Sequence, residues 1–181
     1  MTAPTPATPG LPSAVDGTDA APLTGRRALV VTCSTRAATG VYPDRGGVML
    51  VEALRRWGCD VPDATVVPDG PEVATALAAA IETGADLVLT TGGTGLTPTD
   101  GTPEATRPLL DREVPGLAEA IRARGVANGI PTALLSRGLA GVAGCTLVVN
   151  LPGSTGGVKD ALAVLADVLP HAVSQIHGGD H

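Results

Sequence analysis

The sequence predicts an α/β fold with a mostly parallel central sheet covered on both faces by helices. Two observations carry this prediction. Short apolar runs of strand length alternate with stretches whose apolar residues recur at i, i+3, i+4 and i+7, the mark of repeated strand–helix units. Two of the apolar runs also end in glycine-rich turns, residues 90–95 and 151–157, that lead directly towards helix starts. In an open sheet such turns gather at the carboxyl edge of the strands, which is where ligands bind.

Taken in order, residues 1–24 are dense in Pro, Thr and Ala and have no hydrophobic period, so they read as a disordered tail. The domain occupies residues 25–177, and residues 178–181 read as a frayed end. A first buried strand spans residues 26–33. A long polar loop follows over 34–47, with Ser34 and Arg36 as candidate phosphate ligands. Leu50, Ala53, Leu54 and Trp57 then mark a helix that Gly58 ends. Residues 61–67 read as a second strand, closing at Pro68-Asp69. Val73, Ala76, Leu77, Ala80 and Ile81 give the next helix, stopped at Gly84. After a third strand at Leu87-Val88-Leu89, residues 103–111 read as helical, 112–116 as an interruption and 117–124 as a resumed helix. A strand pair turns near residues 143–144, its second member buried. The last helix carries Val158, Leu162, Leu165, Leu169, Val173 and Ile176 on one face, with Pro170 expected to kink or split it.

Composition removes several function classes. The chain has 181 residues, 44% hydrophobic, with a formal net charge of −6, enough for one domain with a substantial core. One Trp, one Tyr and no Phe in an acidic chain make a poor nucleic-acid binder. No apolar run reaches the roughly 20 residues that span a bilayer, and no signal peptide is evident, so a cytoplasmic location is expected. Cys33, Cys59 and Cys145 are odd in number and far apart, with Cys33 and Cys145 in or beside strand-like runs. They read as buried, reduced thiols.

Residues 86–106 carry the chemistry. A short strand, the turn Thr91-Gly92-Gly93-Thr94-Gly95, then Thr102 as N-cap and Pro103 at the first helical position make an anion site. Asp100 beside such a site repels a phosphate unless a cation intervenes. That points to Mg²⁺, which takes one or two carboxylates plus phosphate oxygens. Asp69, at another strand end, is the candidate second carboxylate. Neither glycine turn fits the dinucleotide fingerprint or the P-loop.

The order Ser34-Thr35-Arg36, Gly40-Val41-Tyr42, Pro68-Asp69, residues 90–95, residues 100–106, residues 112–116, Leu135-Ser136-Arg137 and Asn150-Leu151-Pro152-Gly153-Ser154 resembles the Mog/MoaB family of molybdenum-cofactor biosynthesis proteins. The resemblance implies a three-layer α/β/α fold, assembled as trimers or in some members as hexamers. It also implies adenylylation of molybdopterin by ATP with Mg²⁺, releasing pyrophosphate. Asp69 and Asp100 match the catalytic or metal-associated aspartates. Ser34, Arg36, Thr91, Gly92, Gly93, Thr94, Gly95, Thr102, Glu104, Ser136, Arg137, Asn150, Pro152, Gly153 and Ser154 form the candidate substrate-binding set, with Lys159 joining Arg36 and Arg137 as candidate cations. The substrate's own phosphate is the nucleophile, so positioning and charge neutralisation are what the protein must supply. The alternative is a non-catalytic molybdopterin-binding or scaffold member. Many relatives read Ser-Asp-Arg where this chain has Ser34-Thr35-Arg36, and Val or Ile where it has Gly101.

Overall fold

The computed structural model describes residues 21–179. Most of the expected tail, and the last two residues of the chain, lie outside them. Leu23, assigned to the tail by sequence, is buried at 3% exposure, and its amide donates to the Trp57 carbonyl at 2.8 Å.

Six strands form one sheet in the order β2-β1-β3-β6-β5-β4. These are β1 (Ala28–Cys33), β2 (Thr65–Val67), β3 (Leu87–Thr91), β4 (Arg112–Glu113), β5 (Ala140–Ala143) and β6 (Thr146–Leu151). β2, β1, β3 and β6 run parallel, whereas β5 and β4 are added antiparallel. The central strands are buried on both faces, and side chains alternate between them. Leu87, Leu89, Leu147 and Val149 face one core with helices α2 (Gly46–Arg56), α5 (Pro115–Ala127) and α6 (Thr155–Ile176). Val88 and Val148 face the other, with α3 (Pro71–Glu82) and the neighbourhood of the short α4 (Thr102–Thr106). The three-layer arrangement is therefore as expected.

Several local expectations change. The second strand shortens to Thr65–Val67 because Pro62 lacks an N–H and the Arg55 guanidinium takes the Val61 carbonyl, at 3.2 and 3.1 Å. The polar loop after β1 begins with a one-turn helix, α1 (Thr35–Ala38), capped by the Ser34 side chain. Residues 103–111 are not one helix. α4 ends at Thr106, a 3₁₀ turn covers Arg107–Leu109, and the expected interruption is in part the edge strand β4. Pro115, read as a breaker, opens α5 instead, since proline suits the first helical position. Residues 131–135 form a 3₁₀ turn. Cys145 is exposed, because it sits with Gly144 in the two-residue β5–β6 turn and not in a strand. α6 runs unbroken through Pro170. Leu169 and Val173, packed in the core on either side of the proline, hold the helix where one backbone hydrogen bond is lost. Among the described residues no helix is long and apolar enough to cross a membrane.

Candidate functional site

The carboxyl ends of β1, β3 and β6 meet at backbone distance. Gly92 (φ 97°) and Gly93 (φ 62°) follow β3 in the left-handed region that favours glycine. A Cβ on Gly92 would collide with the Cys33 carbonyl, and one on Gly153 would lie 3.1 Å from the Gly92 Cα. Three strand ends are thereby fused into one saddle.

A cavity opens on each side of that saddle. The first, about 490 Å³, is lined by Ser34, Arg36, Asp69, Thr91, Gly92, Gly93, Asp100 and Gly153 from the predicted set. Tyr42, Asp44, Arg45 and Thr155 also line it. The second, about 500 Å³, is lined by Gly93, Thr94, Gly95, Asp100, Ser136, Asn150, Pro152, Gly153 and Ser154. Its remaining wall is largely apolar and includes Ala118, Ile121, Ile130 and Leu135. Gly93, Asp100 and Gly153 belong to both cavities.

The two carboxylates are held alike. Asp69 Oδ2 accepts from the Thr35 amide at 2.9 Å and the Thr35 hydroxyl at 2.8 Å. Asp100 Oδ2 accepts from the Thr97 amide at 2.9 Å and the Thr97 hydroxyl at 2.7 Å. In each case Oδ1 accepts no hydrogen bond among the described residues. Asp44 differs, with Oδ1 taken by the Gly47 amide and Oδ2 by the Thr32 hydroxyl, both at 2.8 Å. The Thr35 hydroxyl also accepts from the Asp69 amide at 3.1 Å, so one side chain both donates to Asp69 and receives from it. Among the described residues no three His, Cys, Asp or Glu side chains converge. One open hard oxygen from each of two aspartates fits Mg²⁺, which completes its shell with phosphate and water rather than with an all-protein cage.

Around these groups the polar side chains divide into braces and liners. Arg137 Nε donates to the Gly95 carbonyl at 2.7 Å and its Nη2 to the Asp100 carbonyl at 2.6 Å. With Nη1 paired to Glu104, Arg137 braces the glycine turn from outside both cavities. Thr102 is the first residue of α4, not its cap, and its hydroxyl donates to the Gly92 carbonyl at 3.0 Å. Asn150, 2% exposed, donates to Thr90 and Thr106 hydroxyls at 3.2 and 2.9 Å. Ser154 caps α6 by accepting from the Gly157 amide at 3.1 Å, so the positive end of a 22-residue helix meets the cavities. Lys159 is exposed and lines neither cavity. Burial pushes the Cys33 thiol up to about 11, with Asp69 adding to the rise and a Thr102 hydrogen bond opposing it, so cavity one holds no ready thiolate. Sequence reasoning missed Asp44 and Arg45 as liners. They sit in the long loop after β1, and the strand-end rule used for Asp69 had already pointed to that loop.

Fold and site together define an open α/β domain that receives ligands at the carboxyl edge of its sheet, across a glycine saddle. Residues 29–171 match the family model of a probable molybdopterin binding domain. The chain is 36% identical over 146 residues to a molybdopterin adenylyltransferase of Pyrococcus furiosus, covering 78% of this chain and 86% of that protein. It is 39% identical over 156 residues to a molybdenum cofactor biosynthesis bifunctional protein of Chlorobaculum tepidum, 86% of this chain but only 50% of that one; the chain thus spans about half the length of this curated relative. The structure of the Mog protein of Mycobacterium ulcerans superposes with a TM-score of 0.80 at 52% identity, covering 84% of this chain and 99% of the other. The chain belongs to the Mog/MoaB family of probable molybdopterin-binding domains.

Proposed function

We propose that this protein adenylylates molybdopterin with Mg-ATP, giving adenylyl-molybdopterin and pyrophosphate. The observation that carries the reading is the shared wall. Two cavities of similar size, one richer in charged side chains and one more largely apolar, meet at Gly93, Gly153 and Asp100. A two-substrate transfer needs such a geometry, because holding both reactants in line removes much of the entropic barrier. In this reading ATP occupies the first cavity and the pterin the second, with the pterin phosphate at the saddle.

The terminal phosphate oxygen of molybdopterin bonds to the α-phosphorus of ATP. The bond from that phosphorus to the oxygen bridging to the β-phosphate breaks, and this oxygen leaves with its electron pair on pyrophosphate. No general base is required, since a phosphate monoester is already ionised near neutral pH. Asp69 and Asp100 would hold Mg²⁺ through their open oxygens, and the ion would offset charge on the nucleotide phosphates. The Gly93 amide and the N-terminus of α6 would present backbone N–H groups to phosphate oxygens, while the Gly92 amide is spent on the Leu151 carbonyl. Arg36, in the first cavity, is the cation for pyrophosphate. Arg137 and Glu104 act by fixing the turn that carries Asp100.

The same reading makes the protein a cytoplasmic homo-oligomer, a trimer by family resemblance with a hexamer as the alternative. Exposed Val126, Ile130, Leu134 and Leu135 beside the second cavity are apolar surface of the kind that assembly covers. Light scattering on the purified chain reads the mass directly.

The decisive test is anaerobic conversion of molybdopterin with Mg-ATP by wild type and Asp100→Asn, scoring adenylyl-molybdopterin and pyrophosphate together. Product from wild type and its loss in the variant are expected. Tight pterin binding without product in wild type would leave a carrier or scaffold.

A further inference from the structure

We infer that Tyr42 is the platform on which the nucleobase of the nucleotide substrate stacks; the inference rests on the proposed use of the first cavity. Tyr42 is the single tyrosine of a chain with one Trp and no Phe, and it is the one aromatic lining either cavity of the saddle. Its ring is not packed into the core: the residue is 58% exposed, in a protein whose large apolar side chains otherwise fill two clusters against the sheet.

The ring is nonetheless placed. The amides of Val41 and Tyr42 both donate to the Arg36 carbonyl, at 2.9 and 3.2 Å, which folds the loop back over α1. The Arg36 guanidinium then lies over one ring face, its Cζ 5.8 Å from the centroid, a cation–π contact. With Arg36 on one side and more than half of the residue exposed, the other face is available to a second flat group. Arg36 lines the same cavity. A nucleotide whose phosphates lie at Gly93 and the two aspartates has its base left to the rest of the cavity lining, which includes Tyr42. Stacking needs no particular hydrogen-bonding edge, since every base has a π face. Tyr42 therefore contributes to nucleotide affinity and not to the choice among bases.

The test is calorimetric titration of the full chain with Mg-ATP and, separately, with Mg-bound inorganic triphosphate, which has no base. Wild type, Tyr42→Phe and Tyr42→Ala are compared. Tyr42→Ala is expected to bind ATP about tenfold more weakly, within the range that alanine substitution of stacking aromatics gives. Tyr42→Phe should restore binding to within about twofold of wild type, and all three should bind triphosphate alike. In turnover, KM for ATP rises in Tyr42→Ala while KM for molybdopterin does not. Equal ATP affinity in wild type and Tyr42→Ala overturns the inference. So does an equal loss for triphosphate, which would report a collapsed loop. Wild type that binds ATP without making adenylyl-molybdopterin would remove the adenylyltransferase reading and leave the stacking result standing on binding alone. Wild type that binds no ATP ends both.

Discussion

The two edges of the sheet use aspartate in opposite ways. At the amino edge, Asp86 has both oxygens engaged: Oδ1 receives Arg26 Nη1 at 3.1 Å and His177 Nε2 at 2.6 Å, and Oδ2 receives the Arg27 amide at 2.7 Å. At the carboxyl edge, Asp69 and Asp100 are each pinned through one oxygen by a threonine, with the other oxygen left open. A saturated carboxylate is a structural staple. A half-saturated one at a cavity wall keeps an oxygen free for a ligand, the use proposed above for Asp69 and Asp100.

That contrast is most easily broken by exchanging the consequences of one substitution. Asp69→Asn or Asp100→Asn should lower kcat for adenylylation on the order of a hundredfold or more, with the urea midpoint nearly unchanged. Asp86→Asn should do the reverse: it keeps turnover and loses about 1–3 kcal/mol of stability in urea unfolding. Burial by itself pushes the Asp86 carboxyl up, but hydrogen bonds from the Arg27 amide, Arg26 and His177 outweigh it and hold the pKa below the ordinary 3.8. The unfolded chain therefore takes up this proton first. Stability from Asp86 is fully present above the ordinary value and drains away as pH falls through the lower folded one. The gap between wild type and Asp86→Asn should be widest at neutral pH and close below about pH 4; a gap that widens in acid would contradict the staple.

Smaller changes sharpen the comparison. Thr35→Val and Thr97→Val each remove a hydroxyl donor from a charged acceptor, and about a tenfold fall in kcat is expected for each. Thr35→Val should be the worse, since the Asp69 amide also loses its acceptor. At the small end, native thiol labelling should modify Cys145 quickly. Cys33, at the site, and Cys59 should lag, both raised to about 11 by burial.

Much of this was legible from the chain. Short apolar runs predicted β1 and β3, which are buried on both faces of the sheet, and a 3.6-residue period predicted α2, α3 and α6, which bury one face against it. β4 was not legible: Arg112 and Glu113 are exposed edge residues whose pairing depends on β5 arriving from 30 residues further along. The placing of Asp69 and Asp100 in one cavity follows from strand order, which no local pattern encodes. Nor does local sequence distinguish a liner from a brace. Arg36 and Arg137 are both arginines in polar loops, yet one faces a cavity and the other is consumed by the Gly95 and Asp100 carbonyls.

The staple at Asp86 has a further consequence. It gathers Arg26, near the first described residues, and His177, near the last, onto one side chain. From there α6 runs 22 residues, roughly 33 Å at helical rise, before it reaches the saddle. Both ends of the described residues therefore lie on the side away from the cavities. The one carboxylate thus fastens the first and last turns of the described domain together, far from the edge where the ligands are proposed to bind.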